Sequence, residues 1–411
     1  MIYDIIIIGA GPAGLMASIF SKGKVLLLDG NQNLGRKLLT TGAGQCNFTH
    51  AGDINEFLTK YGKNGRFLKA ALYNFNNKDT VDFFLENDIE SIENENGKIF
   101  PKSLKSTDIL DVLIGKCKEN NISIKSDRKV KEINIKEIDA DDFNQTRNLF
   151  YVKTNKECFT AKKIIVATGG KSFDQTGSDG SMFSILEELG ISVESLYPSL
   201  TPIYVKNYKL AHLSGIAFKN AIVNLYRDNK KIESNIGDIL LTHKNISGPG
   251  ILDFSRYVRN NDLLKINFIG VNENVFRNEL KVNIDSGKDK TVKSVVRQLD
   301  LPNRFIDQIL EESNISSELN CSSLKKSQFS EFVEKVCNYN MTVECLGNFN
   351  IAMATTGGVK LSSVNKKTME SKEIKNIYFA GEVLDIDGDT GGYNIQAAFS
   401  TGRLAGINAS K

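Results

Sequence analysis

Tyr3-Asp4-Ile5-Ile6-Ile7-Ile8-Gly9-Ala10-Gly11-Pro12-Ala13-Gly14-Leu15-Met16-Ala17 sets the architecture of this chain. The run from Tyr3 to Ile8 is apolar and rich in β-branched residues, as a central parallel strand buried on both faces requires. Leu15-Met16-Ala17, continued by Ile19-Phe20, starts a helix directly after the glycines. This order of strand, tight turn and helix suits a dinucleotide pyrophosphate. Gly9 permits the turn, Gly11 lets the backbone approach the ligand, and Gly14 lets helix and strand pack closely. Pro12 and Ala13 open the helix, whose free amides and dipole attract the anion. The following strand, Lys24 to Leu28, ends on Asp29. An acid there accepts hydrogen bonds from both adenosine ribose hydroxyls and repels a 2′-phosphate. A bare GxGxxG is a weak signal, and it is the flanking strand, helix and terminal acid that give it weight.

The rest of the composition bounds the reading. At 411 residues the chain exceeds one ordinary core, so two or three domains are expected, and 41% hydrophobic with 25% charged residues describes a globular protein. Lys+Arg 52 against Asp+Glu 49 leaves a net charge of +3, with no global field to favour nucleic acid, and no nucleic-acid partner is expected. Met1-Ile2-Tyr3-Asp4 lacks a basic residue, and the glycines and Pro12 interrupt the apolar stretch that follows. That argues against a signal peptide and for a cytoplasmic location away from membranes. The six cysteines form no CxxC pair, and His50, His212 and His243 lack metal-ligand spacing. Neither a disulfide framework nor a metal centre is expected.

Further strands place the domains. Lys163 to Thr168 ends in Gly169-Gly170, and Asn376 to Ala380 ends in Gly381-Glu382; both read as members of the first sheet. Pro202 to Val205, Ala221 to Tyr226, Leu263 to Ile269 and Asn350 to Ala354 read as strands of a second domain. Residues 128 to 165 suggest an exposed hairpin layer crossing the sheet. From Thr291 to Tyr339 the pattern is helical, with Phe329, Phe332, Val333 and Val336 on one face. The expected organisation is α/β: a discontinuous nucleotide-binding domain (1–190 and 355–411), a β-rich substrate domain (191–280 and 340–354) and a helical insert (281–339).

Gly35-Arg36-Lys37-Leu38-Leu39-Thr40-Thr41-Gly42-Ala43-Gly44-Gln45-Cys46-Asn47, Ala167-Thr168-Gly169-Gly170, Ser247-Gly248-Pro249, Gly381-Glu382-Val383-Leu384-Asp385 and Gly391-Gly392-Tyr393-Asn394-Ile395-Gln396 stand in an order and spacing that resembles the aminoacetone oxidase-like family of FAD-binding enzymes, which includes a bile-acid enone reductase. The likeness spans nearly the whole chain. It implies a Rossmann-like FAD domain interrupted by a β-rich substrate domain that carries a small helical insert. It assigns Arg36 and Lys37 to the pyrophosphate and ribityl side, the Thr41-Gly42 turn to the isoalloxazine edge, and the Val130 backbone to adenine, although Val130 also reads as core. Thr168 and Gly169 fall in the cofactor set, and Glu382 and Asp387 near the ribityl hydroxyls. The sequence departs from the family at His50, where an Asn is usual, and at Ala43-Gly44-Gln45; both changes bear on the substrate more than on the cofactor.

Gly391-Gly392 precedes a helix from Tyr393 to Ile407. In flavoenzymes of this layout the first amides of that helix, near Asn394 and Ile395, face the N1/C2 carbonyl edge, where a helix N-terminus stabilises the charge of the reduced ring. Few protein groups are then needed for chemistry, because the flavin takes the hydride at N5. The candidates are His243, as proton donor or carbonyl-binding group, and Cys46 on the flavin-edge loop; turn closure and core packing are their plain alternatives. No second strand-GxGxxG-helix unit is present, so NAD(P)H would dock only transiently as electron donor. Three functions follow from these readings. The first is an NAD(P)H-linked FAD reductase of an activated C=C bond in a small or apolar substrate. The second is an amine or aminoketone oxidase using oxygen, and the third a flavin-holding RNA-modifying or binding protein.

Overall fold

A computed structural model describes residues 1–139 and 146–411, so the tip of the hairpin expected between 128 and 165 lies outside the described residues. The chain forms two compact units, Met1–Ser199 with Phe349–Lys411, and Leu200–Asn348.

The first unit is built on a seven-stranded sheet. Strand β1 (Ile2–Ile8) lies between β2 (Val25–Leu28) and the strand Cys158–Val166, parallel to both, and Ser123–Lys125 extends the sheet beyond β2. Ile5, Ile6 and Ile7 are fully enclosed, as expected of a strand with helices on both faces. The far side of Cys158–Val166 is shared. Its first half takes the antiparallel strand Thr146–Thr154, which in turn pairs with Val130–Asp139, and its second half takes the parallel strand Ile377–Phe379. The C-terminal part of the chain thus enters the sheet that the N-terminus began.

Two helices complete this closure. Helix α1 (Pro12–Ile19) and the C-terminal helix Tyr393–Ala409 pack together. Gly402 and Gly406 make their approach possible, because a Cβ at either would overlap the carbonyl oxygen of Ala13 or Ala17. The C-terminal helix is pinned on its other side by Gln396, whose fully buried carboxamide accepts from the hydroxyls of Thr49 (2.6 Å) and Thr80 (2.9 Å) and donates to the Phe75 carbonyl (3.1 Å). Every polar atom of that side chain is satisfied, the condition under which a buried network specifies one arrangement.

The second unit is a closed barrel of Ile203–Val205, Ile246–Ser247, Lys230–Leu241, Ala217–Arg227, Leu263–Asn267 and Tyr339–Leu346. Helices from Glu273 to Cys337 cover it and share its core. Phe218 of the barrel and Phe268, the residue after the strand Leu263–Asn267, meet Phe305 of the helix Asn303–Glu312 with ring centroids 4.8 and 4.7 Å away. The helical stretch therefore begins at Glu273, ahead of 281, and belongs to the barrel's own core.

One strand assignment is corrected. Asn350–Ala354 is not a strand of the second unit; the strand is Ala354–Val359, and it pairs antiparallel with Val193–Ser199 inside the first. Thr355-Thr356-Gly357-Gly358-Val359 carries the pairing, and its two glycines weaken the strand signal in the sequence. Residues 191–199 and 349–354 consequently fall in the first unit. Replacing Gly402 with Val should destabilise the protein by about 2 kcal/mol, since overpacking outweighs the helix propensity gained; urea denaturation at fixed cofactor concentration checks this.

Candidate functional site

The glycines after β1 shape the site through what they touch and, at one position, through what they do not. A side chain on Gly14 would overlap the Gly9 carbonyl, so this glycine seats α1 against the strand. Gly11 is different. Its φ of −80° suits any residue, and a Cβ there would meet nothing within 4 Å. Neither backbone nor packing asks for glycine at this point, whereas a ligand lying against the main chain does.

That open space belongs to a cavity of about 420 Å³, all of whose lining residues lie in the first unit. Of the residues singled out from the sequence, Gly9, Gly11, Pro12, Ala13, Asp29, Arg36, Lys37, Thr41, Val130, Thr168, Gly169, Gly381, Glu382, Asn394 and Ile395 line it. Gly14, Gly42, Asp387, Gly391, Gly392 and Cys46 do not, and His243 is an exposed residue of the barrel unit. The cavity thus runs from the first helix start to the last, bringing together segments more than 350 residues apart in sequence.

Asp29 is largely committed within the chain. One carboxylate oxygen accepts from the Ala10 amide (2.7 Å), and the other from the Asn31 amide (2.8 Å) and side chain (3.1 Å). With roughly four acceptor positions on a carboxylate, one remains for a ribose hydroxyl rather than two. Asn31 was not picked out from the sequence, yet it also donates to the Thr176 carbonyl and accepts from Arg36, so it joins β2 to the loop that closes this end of the cavity. The alternation Asp29-Gly30-Asn31 is the signal that could have found it, since Asx residues so spaced form side-chain turns. Lys129, paired with Asp179, and the loop Asp174–Met182 were likewise missed. Gly177-Ser178-Asp179-Gly180 is a turn signal in the sequence and names no ligand.

The cations divide into two kinds. Lys37 Nζ lies 2.7 Å from Glu382 Oε2, with the side chains 25% and 18% exposed, and Glu382 Oε1 accepts from the Thr355 amide. This pair joins the segment after β2 to the C-terminal segment, and it leaves no net charge at its position. Arg36 is hydrogen-bonded only to the neutral Asn31 amide among the described residues. Of the two cations expected at the pyrophosphate, Arg36 is therefore the one whose charge is uncompensated, alongside the α1 N-terminus.

At the other end, Gly392 (φ 95°) caps the C-terminal helix, and by position the Asn394 and Ile395 amides have no intrahelical acceptor. The Asn394 side chain is turned inward to clasp Gly388 by two hydrogen bonds, of 2.7 and 2.9 Å. Tyr61, fully buried, donates to the Tyr393 carbonyl, and the His50 ring stacks on Tyr393 with centroids 4.9 Å apart. Asp387 is buried and accepts from Ser199, and burial holds the neighbouring Asp385 carboxyl above its usual range. Thr168 lines the cavity, and its Oγ1 is buried and has no hydrogen-bond partner among the described residues. These features fit a dinucleotide carrying a polar tail.

Cys46 does not fit a reactive role. It is fully buried, and burial pushes its thiol up to about 12, so the nucleophilic form is absent at neutral pH. Among the described residues no group of His, Cys, Asp and Glu could hold a metal, and no helix is long and apolar enough to cross a membrane.

A family model described as HI0933-like protein Rossmann domain matches residues 3–408. The chain is 30% identical over 411 residues to the ribosomal RNA dihydrouridine synthase of Haemophilus influenzae, covering 99% of this chain and 98% of that one. It is 26% identical over 417 residues to the 3-dehydro-bile acid delta(4,6)-reductase of Clostridium scindens, covering 98% of each. Among solved structures, 3-ketosteroid delta1-dehydrogenase from Sterolibacterium denitrificans superposes with a TM-score of 0.52 at 12% identity over the full length of both chains, a likeness of fold.

Two outcomes are expected. In the native protein a thiol reagent at pH 8 should label the exposed Cys158 and Cys345 and spare Cys46, as mass spectrometry of the labelled peptides would reveal. Lys37→Ala should raise the FAD dissociation constant about tenfold by leaving the Glu382 carboxylate uncompensated, and adding Glu382→Gln should recover most of the loss, measured by fluorescence titration of apoprotein.

Proposed function

The chain belongs to the HI0933-like family, and on that footing we propose that it is an FAD-dependent oxidoreductase that saturates a carbon–carbon double bond conjugated to a carbonyl. The observation that carries the cofactor is the vacant approach at Gly11 in a cavity that both chain ends line. Bound there, FAD supplies the hydride acceptor and donor at N5. The protein's own part is to hold and orient. The α1 N-terminus and Arg36 bind the diphosphate, Asp29 accepts one ribose hydroxyl, and Val130 borders the adenine end. The start of the C-terminal helix places its first amides toward the ring edge that becomes anionic on reduction, where they favour the reduced state. No second dinucleotide unit occurs among the described strands, so NAD(P)H visits transiently as reductant.

The reaction class is supported by chemistry common to two relatives' names. A delta(4,6) 3-dehydro bile acid and the uracil ring each present a double bond in conjugation with a carbonyl, and hydride delivered to the far carbon leaves an enolate for a protein group to protonate. His243, exposed between the barrel strands Lys230–Leu241 and Ile246–Ser247, is the residue we propose for that proton or for binding the carbonyl. The RNA-modifying alternative thereby becomes a substrate choice within one reaction. It is favoured by the relative at 30% identity and by the barrel segment 200–270, which holds ten Lys and Arg against five Asp and Glu although the whole chain is near neutral. A steroid-like enone is the second substrate reading, favoured by the relative at 26%.

The test is anaerobic. The yellow holoprotein should be bleached by NADPH or NADH, and the reduced flavin should be reoxidised by a uridine-containing ribosomal RNA fragment or by a 3-keto-4-ene steroid, with the saturated product found by mass spectrometry. Bleaching by amines, with reoxidation by oxygen alone, would instead establish an oxidase.

A further inference from the structure

Asn31 stands between an acid and a cation of the cavity wall and is hydrogen-bonded to both. Its Nδ2 donates to Asp29 Oδ1 (3.1 Å) and to the Thr176 carbonyl (3.2 Å), and its Oδ1 accepts from Arg36 Nη1 (3.1 Å). Its backbone is equally committed, the amide donating to Asp29 Oδ1 (2.8 Å) and the carbonyl accepting from the Asp127 amide (2.8 Å). All three side-chain partners line the cofactor cavity, as Asn31 itself does. The direction of the carboxamide follows from this neighbourhood. A carboxylate and a carbonyl only accept, so the edge turned to Asp29 and Thr176 is the amino group, and the oxygen is left for Arg36. Gly177 lets the amide lie this close to the loop, because a Cβ there would come 2.2 Å from Asn31 Nδ2.

Arg36 is exposed, and a long side chain loses rotamer entropy whenever it is held in one position. Among the described residues the Asn31 oxygen is its one hydrogen-bond partner. A neutral acceptor holds a guanidinium without cancelling its charge, whereas a carboxylate holds and cancels at once, as Glu382 does for Lys37. We propose that Asn31 is a positioning residue for the cofactor's diphosphate. It keeps Arg36 on a neutral tether apart from Asp29, so that the acid stays available to the ribose and the cation to the phosphates. This inference rests on the FAD reading above.

ADP and adenosine separate these two ends, since only ADP carries the charge that Arg36 would meet. Asn31→Ala keeps the backbone amide that holds Asp29 and removes the acceptor that holds Arg36. In the full-length apoprotein it should raise the ADP dissociation constant about tenfold and leave that of adenosine within about twofold, both read by competition against FAD with flavin fluorescence. In an Arg36→Gln background the same substitution should weaken ADP little further. Asn31→Asp keeps the shape and sets a carboxylate against Arg36; it should weaken ADP and flatten the salt dependence of its binding, which carries the test should Asn31→Ala fail to fold. Equal losses for ADP and adenosine, or a loss that persists undiminished without Arg36, would make Asn31 a brace for the loop at Thr176 and overturn the proposal. Unchanged ADP binding in both variants would overturn it as well. An unsubstituted apoprotein that binds neither FAD nor ADP would instead bring down the cofactor reading itself, a result distinct from these.

Discussion

The close contact of α1 with the C-terminal helix is the constraint on which the first unit depends. Backbone meets backbone at Gly402 and Gly406, so the helix that ends the chain can lie alongside the helix that begins the nucleotide fold. The sheet accepts Ile377–Phe379 beside Cys158–Val166, and Gly381 packs against Ala13. Without this approach the cavity would have a floor from the N-terminal segment and no second wall. The Gln396 network acts from the opposite side, holding the helix to Thr49, Phe75 and Thr80, and thus the helix start to one position.

The legible part of the fold was the part governed by local rules. Tyr3 to Gly14 announces its strand, turn and helix in consecutive residues, and Asp29 follows at the end of the next strand. The barrel was visible as strands but not as a closed form, because closure depends on pairings such as Leu263–Asn267 with Tyr339–Leu346, separated by a run of helices. The misplaced strand near 354 has the same origin: its partner Val193–Ser199 is about 160 residues away, and nothing in Thr355 to Val359 alone names the unit that recruits it.

The site was legible as a list of residues and less so as roles. Arg36 and Lys37 look equivalent in sequence, yet one is free to meet an anion and the other is neutralised by Glu382 from the far end of the chain. Cys46 was a candidate only through its place on the flavin-edge loop, with core packing as its alternative, and it proves to be enclosed. Asn31 was overlooked because an asparagine's importance lies in which of its hydrogen bonds are filled, and that is a property of the folded surroundings.

The strand Cys158–Val166, shared along one side by two partners, has a bearing on the company this molecule keeps. By giving half its length to an antiparallel pair, it moves the rim of the sheet outward to Val130–Asp139, whose Lys131, Asn134 and Lys136 are exposed. Charged, hydrated side chains on an outermost strand discourage another chain from adding itself there. The half of the parallel core that lies behind this pair, a surface among the stickiest a polypeptide can present, is thereby insulated from intermolecular sheet extension.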